Sequence, residues 1–394
     1  MCDNTRYHVA LIHNIIAPYR VPLFEALARH PAIDLQVYYC AKTHKDRRWD
    51  VLESNTYSYK VLPGIHLGVS DVFYSINPSI LTHLAANRYD CVILGGSSDF
   101  TTQFSFFISK ALKLPVILWS ETFEGGELKF SKFVVNPLTP FIIKHADALI
   151  VPGSRSRDFH IKRGAAREKV FIAPNIVNND AFFAKSSAFK QRGAQLKNEL
   201  HLDNNTIVLF VGQLIERKGV GFLLRAFRKL KSERENTTLV VIGDGKLKSE
   251  LLQIPSNESV ADIIFTGWIS EEEKIMYYTI ADLFVLPTLL DLCPLVINEA
   301  MACGLPIVTT TAAGCACDMI VEGENGFIVE PRNAEALYEA MRRVLQDDEV
   351  RLKMGEKSYE ILTTHFSLEN AVNGFFSAIQ FACHTSFGNS HASA

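Results

Sequence analysis

Short apolar runs alternate with helical patterns along most of the chain, and this alternation constrains the fold more than any other feature. Nearly continuous apolar strands separated by helices predict parallel sheets that are covered on both faces. Six runs fall in each half, which predicts an α/β chain of two doubly wound, Rossmann-like domains. The runs are Tyr7–His13, Asp34–Cys40, Cys91–Gly95, Pro115–Trp119, Ala148–Pro152 and Val170–Pro174, then Ile207–Val211, Thr238–Ile242, Ile263–Thr266, Leu283–Pro287, Pro306–Thr309 and Phe327–Val329.

The domain boundaries follow from length and polarity. A chain of 394 residues is long for one ordinary core, and the polar stretch 175–202 predicts a junction. We expect an N-terminal domain over 1–180, a C-terminal domain over 181–365, and a helix in 366–394 that returns toward the first domain before a flexible tail from Ser386. Ligands of doubly wound sheets bind at the carboxyl ends of the strands. We therefore expect the chemistry in strand-to-helix loops that face a central cleft between the domains.

Composition excludes several classes of protein. The chain is 48% hydrophobic and 21% charged, as in soluble globular proteins. Its first 185 residues carry 21 Lys and Arg against 16 Asp and Glu, a surplus too dilute for nucleic-acid binding but compatible with an anionic lipid, a phosphorylated acceptor or a merely solvated surface. No run approaches the ~20 apolar residues that span a bilayer, and no signal-peptide pattern is present, so we expect a cytoplasmic protein. The eight cysteines lack a paired spacing and are expected to be reduced thiols.

Three loops in the second half have residues suited to a phosphate ligand or a nucleobase. The loop 211–219 places Lys218 where a helix begins, a position that favours anions, although a solvated lysine is an equal alternative. Gly243 belongs to a G-x-G loop, which is a weak signal because glycine also serves ordinary turns. The segment 267–269 ends a strand, and its backbone could contact a base edge. The next residues, 270–273, predict a capping box rather than a catalytic acid cluster.

The segment 286–310 carries the strongest signal. A strand ends, a loop carries Asp291, and Pro294 begins a helix that contains Glu299 among apolar and small residues. A carboxylate in that position needs a partner, because a buried unpaired charge is costly. A ribose diol could donate two hydrogen bonds to it, and a structural salt bridge is the alternative.

These segments resemble, in order and spacing, the retaining GT-B glycosyltransferases of glycosyltransferase family 4. That family has a G-R-L-x-x-x-K-G loop, a G-D-G loop, an F-x-G strand end and an E-x7-E motif followed by A-M-A-C-G-x-P, and the resemblance extends from residue 207 to 345. It implies that Lys218 binds a diphosphate, Glu299 a ribose, the 267–269 backbone a base, and Asp291 the donor sugar. The nucleotide-sugar site that we predict comprises Gly212, Gln213, Lys218, Gly243, Gly267, Trp268, Ile269, Asp291, Leu295, Val296 and Glu299.

The sequence departs from the family pattern at four places. Gln213 replaces an arginine, which leaves stabilisation of the leaving group more heavily to Lys218. Asp291 replaces a glutamate and reaches one methylene less far. Pro294 replaces a flexible glycine, and 313–318 replaces Gly-Gly-x-x-Glu. These changes bear on donor identity more than on the class of reaction.

The first half supplies candidates for the acceptor side. Residues 18–24 resemble the P-Y-R-x-P-L-F opening of some family members, where this loop faces the acceptor, so Tyr19 and Arg20 are acceptor-binding candidates. Glu121, after the fourth strand, stands where many members have a histidine, and it is a catalytic candidate with a structural role as the favoured alternative. Glu124 in the same loop is a further acceptor candidate. The segment 129–144 interleaves lysines with aromatic residues and could rest on a membrane, with a packed segment favoured.

The mechanism expected from this resemblance needs neither a metal nor a cofactor, since no D-x-D occurs in the chain. The co-substrate is a nucleotide-diphosphate sugar, the acceptor a saccharide or lipid-linked saccharide, and the catalytic candidates are Lys218, Asp291 and Glu121. No covalent nucleophile stands out, so we expect front-face attack with retention, in which the acceptor proton passes to the departing phosphate. A nucleotide-sugar epimerase and a degenerate nucleotide-binding homologue are the alternatives.

Overall fold

A computed structural model describes residues 6–43, 54–69, 72–97, 99–125, 138–252 and 262–391. The chain forms two compact units. Unit 1 comprises 1–176 together with 368–394, and unit 2 comprises 177–367. The division falls a few residues before the predicted boundary at 181, and the last helix belongs to unit 1.

Unit 1 is built on a parallel sheet of seven strands in the order β3-β2-β1-β6-β7-β8-β9, beside an antiparallel pair, β4 and β5. The strands are β1 (Tyr7–Ile15), β2 (Ile33–Ala41), β3 (Ser58–Val61), β4 (Ile65–Val69), β5 (Val72–Ile76), β6 (Cys91–Gly95), β7 (Val116–Trp119), β8 (Ala148–Val151) and β9 (Val170–Ile172). Its helices are α1 (Val21–Arg29), α2 (Ile80–Ala86), α3 (Phe100–Ala111), α4 (Thr139–His145), α5 (Ser154–Lys162) and the last helix, α14 (Leu368–His391).

Unit 2 has a parallel sheet of six strands in the order β12-β11-β10-β13-β14-β15. Its strands are β10 (Thr206–Val211), β11 (Thr237–Ile242), β12 (Ile263–Gly267), β13 (Leu283–Leu286), β14 (Ile307–Thr310) and β15 (Gly326–Val329). Its helices are α6 (Asn179–Glu199), α7 (Val220–Glu233), α8 (Lys248–Leu252), α9 (Glu271–Ile280), α10 (Leu295–Ala302), α11 (Ala316–Met319), α12 (Ala334–Leu345) and α13 (Asp348–His365).

Both sheets are doubly wound, as the sequence predicts. In unit 1 two separate apolar cores form, one containing α1 and α14 and the other α2, α3 and α4. All twelve predicted strands are present, and the strand order reverses between β1 and β6 and again between β10 and β13. At such a reversal, neighbouring loops leave in opposite directions and open a ligand crevice at the carboxyl ends of the strands.

Local sequence explains the helices that flank this edge in unit 2. One face of α7 is a buried apolar stripe that packs into the core, and it consists of Val220, Leu223, Leu224, Phe227 and Leu230. The predicted capping box at the start of α9 is confirmed: the Ser270 hydroxyl accepts from the Glu273 amide at 3.2 Å, and the Glu273 carboxylate accepts from the Ser270 amide at 2.9 Å.

Several details differ from the sequence-based expectation. The polar stretch predicted as a junction forms α6, which packs against α9 and α10 inside unit 2. The tail predicted from Ser386 is helical to His391. Pro294 is the N-cap of α10 rather than its first residue. Strands β3, β4 and β5 were not expected, because their exposed positions break the continuous apolar pattern.

Candidate active site

Two loops at the carboxyl edge of the unit 2 sheet are bonded to each other. They follow β10 and β13, which are neighbours in the sheet. Gly219 has φ +70°, and a Cβ there would lie 2.0 Å from the Pro287 carbonyl oxygen, so only glycine permits this approach. The Arg217 carbonyl accepts from the Leu289 amide at 2.7 Å and from the Thr288 hydroxyl at 3.0 Å. The start of α7 is thereby fixed against the loop that follows β13.

This contact joins two of the predicted site residues, Lys218 and Asp291, in an ion pair. Their side chains are only 11% and 14% exposed. The Asp291 backbone is held in turn, since its amide donates to the Ala312 carbonyl at 3.1 Å and its carbonyl accepts from the Gly314 amide at 2.8 Å. A lysine ammonium at a helix start, partly shielded from water, is well placed to stabilise a phosphate oxygen.

The expectation of reduced cysteines is wrong for one pair. Cys293 and Cys315 form a disulfide with a Cα–Cα distance of 5.3 Å. They are 22 residues apart, but the loops that carry them follow neighbouring parallel strands, β13 and β14. The bridge lies two residues beyond Asp291 and ties its loop to the 311–315 segment. Nothing in the cysteine spacing signals this pairing.

Further predicted residues lie at the same edge, where β10, β11 and β12 end. Gly243 has φ +139°, and a Cβ there would lie 1.9 Å from the Gly212 carbonyl oxygen. Its amide donates to the Gly267 carbonyl at 2.9 Å. The loops after β10, β11 and β12 are therefore packed backbone to backbone. Where these backbones approach each other most closely, no side chain lies between them. Trp268 is 62% exposed beside them, and Gln213 is exposed as well.

Glu299 has protein partners in the described residues, in addition to the ribose contact that the resemblance implies. Its Oε1 accepts from Lys274 Nζ at 2.8 Å, and its Oε2 accepts from the Tyr278 hydroxyl at 2.9 Å. The charge is therefore paired within the protein, as the salt-bridge alternative requires. The side chain keeps 12% exposure, and two hydrogen bonds occupy about half of the ~4 acceptor sites of a carboxylate. Leu295 and Val296, one turn earlier on α10, are half-buried.

In unit 1 the acceptor candidate Arg20 and the catalytic candidate Glu121 form a partly buried ion pair. Asn175 completes the cluster: its Oδ1 accepts from Arg20 Nη1 at 2.7 Å, and its Nδ2 donates to Glu121 Oε1 at 2.9 Å. The Arg20 guanidinium also lies 4.5 Å from the centre of the Trp119 ring. Because the Arg20 side chain is 8% exposed and that of Glu121 is 27% exposed, the cluster presents the carboxylate rather than the guanidinium.

A neutral histidine lies beside this cluster. The His13 ring is buried, its centre is 5.7 Å from that of Trp119, and its Nδ1 lies 3.1 Å from the Ile15 carbonyl oxygen. Burial, helped by the positive charge of Arg20, lowers the pKa of His13 to about 3. Sequence reasoning missed His13 and Asn175, since neither belongs to a motif and both meet Arg20 only in the folded chain.

The remaining candidates of the first half lie apart from this cluster or outside the described residues. Tyr19 is 37% exposed next to Arg20. Glu124 is exposed and pairs with Lys162 of α5 at 2.8 Å. Most of the predicted 129–144 segment falls in 126–137, outside the described residues. Within the described ranges, no group of three or more His, Cys, Asp or Glu could hold a metal ion, and no helix has the length and apolarity to cross a membrane.

Comparisons with known proteins agree with this geometry. Residues 191–361 match the family model of glycosyl transferases group 1. The chain is 25% identical to the alpha-D-kanosaminyltransferase of Streptomyces kanamyceticus over 280 residues, 68% of this chain and 71% of that protein. It is 27% identical over 252 residues to the lipopolysaccharide 1,2-N-acetylglucosaminetransferase of Salmonella typhimurium, 61% of this chain and just under two thirds, 64%, of that protein.

Among solved structures, Anabaena Alr3699/HepE in complex with UDP and glucose superimposes with a TM-score of 0.73 at 17% identity, covering 95% of this chain and 100% of that one. The predicted GT-B fold is thus confirmed. Fold and relatives together define the class: the protein is a glycosyltransferase. The segment that matches the group 1 family model, 191–361, lies within unit 2 and holds the Lys218–Asp291 pair and Glu299.

Proposed function

We propose that this protein transfers a sugar from a nucleoside-diphosphate donor to a saccharide or lipid-linked acceptor, with retention of anomeric configuration and without a metal, in the synthesis of a cell-surface polysaccharide or glycoconjugate. Unit 2 binds the donor, and unit 1 binds the acceptor. The relatives named above are transferases acting on sugars, which disfavours the epimerase alternative.

The observation that carries the proposal is the Lys218–Asp291 pair at the start of α7. A diphosphate brings two or more negative charges, and it would compete with Asp291 for the Lys218 ammonium. Asp291 would then be released toward the donor sugar, where a carboxylate can accept hydrogen bonds from sugar hydroxyls. One ion pair thus supplies both a cation for the leaving group and an anion for the sugar.

The proposal is tested by thermal shift and by transfer assays. UDP, GDP, ADP and CDP and their common sugar conjugates are screened, since a ligand at 100 times its Kd adds ~2.7 kcal/mol to stability. The sugar that stabilises best is then offered with a panel of saccharide and lipid-linked acceptors. A shift with none of these nucleotides would contradict the donor site, and a shift without transfer would favour a degenerate binding protein.

Stereochemistry and metal use have separate readouts. Proton NMR of the first product formed gives the anomeric configuration, and we expect that of the donor. We expect EDTA to leave the rate unchanged, because Lys218 and backbone amides serve in place of a metal ion. The proposed front-face route passes the acceptor proton to the departing phosphate oxygen, so a glycosyl-enzyme trapped on Asp291 or Glu121 would contradict it.

On the acceptor side, we infer that Glu121 contacts an acceptor hydroxyl and that Arg20 and Asn175 hold it in place. Tyr19, exposed beside them, offers a ring for a sugar face. The contribution expected from Glu124 is small, because it already pairs with Lys162 at the surface.

We also propose that unit 1 contacts an anionic membrane, at the cytoplasmic face, through α3 and α4. Phe104, Phe107 and Phe141 are 46%, 42% and 46% exposed, and the rings of the last two stack at 6.1 Å. Neither helix contains an acid. Lys110 of α3 pairs with Asp147 at 2.6 Å, whereas Lys144 of α4 is exposed, and an exposed lysine beside apolar rings suits anionic headgroups above an apolar layer.

Sedimentation with phosphatidylglycerol vesicles tests this contact. We expect binding that falls at high salt and with Phe107→Ser combined with Phe141→Ser. Leu352→Ser, which removes an apolar residue of unit 2 that is even more exposed, at 62%, is the control. Equal sedimentation of all three proteins would remove the proposal.

A further inference from the structure

The hydrogen bonds of Glu299 come from a single helix. Lys274 and Tyr278 are four residues apart on α9, and therefore lie on one face of it. Each takes a different carboxylate oxygen, at 2.8 Å and 2.9 Å. Two donors on one rigid helix fix the plane of the carboxylate as well as its position.

The environment of these donors makes the arrangement stiff. Tyr278 is fully buried, and its ring packs at 5.9 Å from that of Phe284 on β13. Lys274 is 20% exposed, with its ammonium 5.7 Å from the centre of the Phe182 ring of α6. The carboxylate of Glu299 is thus held by two side chains of α9. It still reaches solvent, because the Glu299 side chain keeps 12% exposure. A group fixed in this way loses little entropy when it binds a ligand.

The same helix begins at the loop predicted to contact the base. Ser270 caps α9, and the residues just before it are Gly267, Trp268 and Ile269. Gly267 has φ +76° and its carbonyl accepts from the Gly243 amide at 2.9 Å. Since an α-helix is rigid over three turns, the base loop and the carboxylate are held at a fixed spacing by one element.

We propose that Lys274 and Tyr278 are positioning residues that hold the Glu299 carboxylate toward the two hydroxyls of a nucleotide ribose, and that α9 sets the spacing between ribose and base. This inference rests on the proposed function. It adds two residues that touch no substrate themselves and act through Glu299.

The test uses ligands with and without the ribose hydroxyls. The Kd of UDP and GDP, and of their 2′,3′-dideoxy forms, is measured by calorimetry on the full chain. For the Tyr278→Phe variant, which keeps the ring and removes one hydrogen bond to a charged group, we expect the Kd of the ribose form to rise about 10-fold. The Kd of the dideoxy form should change less than about 2-fold, because that ligand makes no use of Glu299.

Two further variants separate positioning from general loss of structure. Tyr277→Phe makes the same chemical change one residue earlier on α9 and should leave both Kd values unchanged. Lys274→Met should behave like Tyr278→Phe. Lys274→Arg, which keeps a cationic donor, should restore much of the difference in Kd between the ribose and dideoxy ligands.

The outcomes are distinguishable. If the wild-type protein binds the ribose form more tightly than the dideoxy form, and Tyr278→Phe weakens both equally or neither, the positioning role is overturned while the donor site stands. If the wild-type protein binds none of UDP, GDP, ADP and CDP, the proposed function is overturned and this inference falls with it.

Discussion

Unit 2 lines the carboxyl edge of its sheet with glycine loops and partly exposed ion pairs, whereas unit 1 fills the corresponding edge with aromatic rings and a buried guanidinium. In unit 2, Gly243 and Gly219 allow neighbouring backbones to touch. In unit 1, Trp119 and His13 pack around Arg20, and Glu121 is the charged group that reaches solvent.

The difference fits two kinds of ligand. Bare backbone and a lysine at a helix start suit a phosphate-containing donor, whose charges are many and close to the protein. Aromatic rings and a single presented carboxylate suit an uncharged sugar face and its hydroxyls. Doubly wound sheets of the same strand order can thus serve different ligands, because the loops and not the sheet decide what binds.

The largest effect is expected from Lys218→Met in unit 2. Removing the cation takes away stabilisation of the leaving diphosphate, so kcat should fall about 10²- to 10³-fold. Steady-state kinetics with the donor identified in the screen measure it. Lys229→Met, which removes an exposed lysine of α7, serves as the control. A fall of less than about 3-fold would break the assignment of unit 2 as the donor site.

Replacing one glycine by alanine at each sheet edge compares how closely the backbones pack in the two units. Gly243→Ala should destabilise unit 2 by about 3 kcal/mol or more, because its Cβ would lie 1.9 Å from the Gly212 carbonyl oxygen. Gly96→Ala, at the end of β6, has φ +109° but no atom within 4 Å, so only backbone strain of about 1–2 kcal/mol remains. Urea unfolding followed by hydrogen exchange in each unit measures both. Equal losses would contradict the close packing at Gly243.

The disulfide distinguishes the units by redox state. Reducing Cys293–Cys315 frees a loop of 22 residues, which should cost unit 2 about 3 kcal/mol and leave unit 1 unchanged. Alkylation before and after reduction, followed by peptide mass spectrometry, identifies the pair. Full alkylation of both cysteines in the protein as isolated, without reductant, would show that the bridge is absent.

Acid should weaken unit 1 through its buried histidines. Burial lowers the pKa of His13 to about 3 and that of His160, with help from Arg163, to about 4. In the unfolded chain both titrate near 6.5, so between pH 6.5 and about 4 the unfolded state binds more protons. The two histidines therefore cost the folded state nothing above pH 6.5. Below pH 6.5 the free energy of unfolding falls by ~1.4 kcal/mol per pH unit per histidine.

Hydrogen exchange of β1 and α5 as a function of pH measures this loss. His160→Gln should reduce the slope of the unfolding free energy against pH by the contribution of one histidine, ~1.4 kcal/mol per pH unit. A slope that His160→Gln leaves unchanged would show that other groups cause the acid sensitivity.

Much of the fold could be predicted because buried parallel strands leave a continuous apolar run in the sequence. β3, β4 and β5 could not, since their side chains include exposed residues such as Ile65 and Leu67, which interrupt such a run. The length of α14 was underestimated, because the polar residues at its C-terminal end show no helical spacing of apolar side chains.

Sequence reasoning could single out site candidates where one loop carries a whole signal, as at Lys218 and at Asp291. Pairings between loops were not. Lys274 and Tyr278 were part of an ordinary helix in the sequence, and their role depends on which side of α9 meets α10. Cys315 reaches Cys293 because the neighbouring strands β13 and β14 end at one edge. Asn175 reaches Arg20 and Glu121 because β1, β7 and β9, which are not neighbours, end at the same edge of one sheet.

The central claim, that unit 2 binds a nucleoside diphosphate with Lys218 and Glu299 together, is tested most directly by a crystal structure of the protein soaked with UDP or GDP. We expect a phosphate oxygen within hydrogen-bond distance of Lys218 Nζ and both ribose hydroxyls on the Glu299 carboxylate. A nucleotide bound elsewhere, or one whose ribose lies away from Glu299, would contradict it.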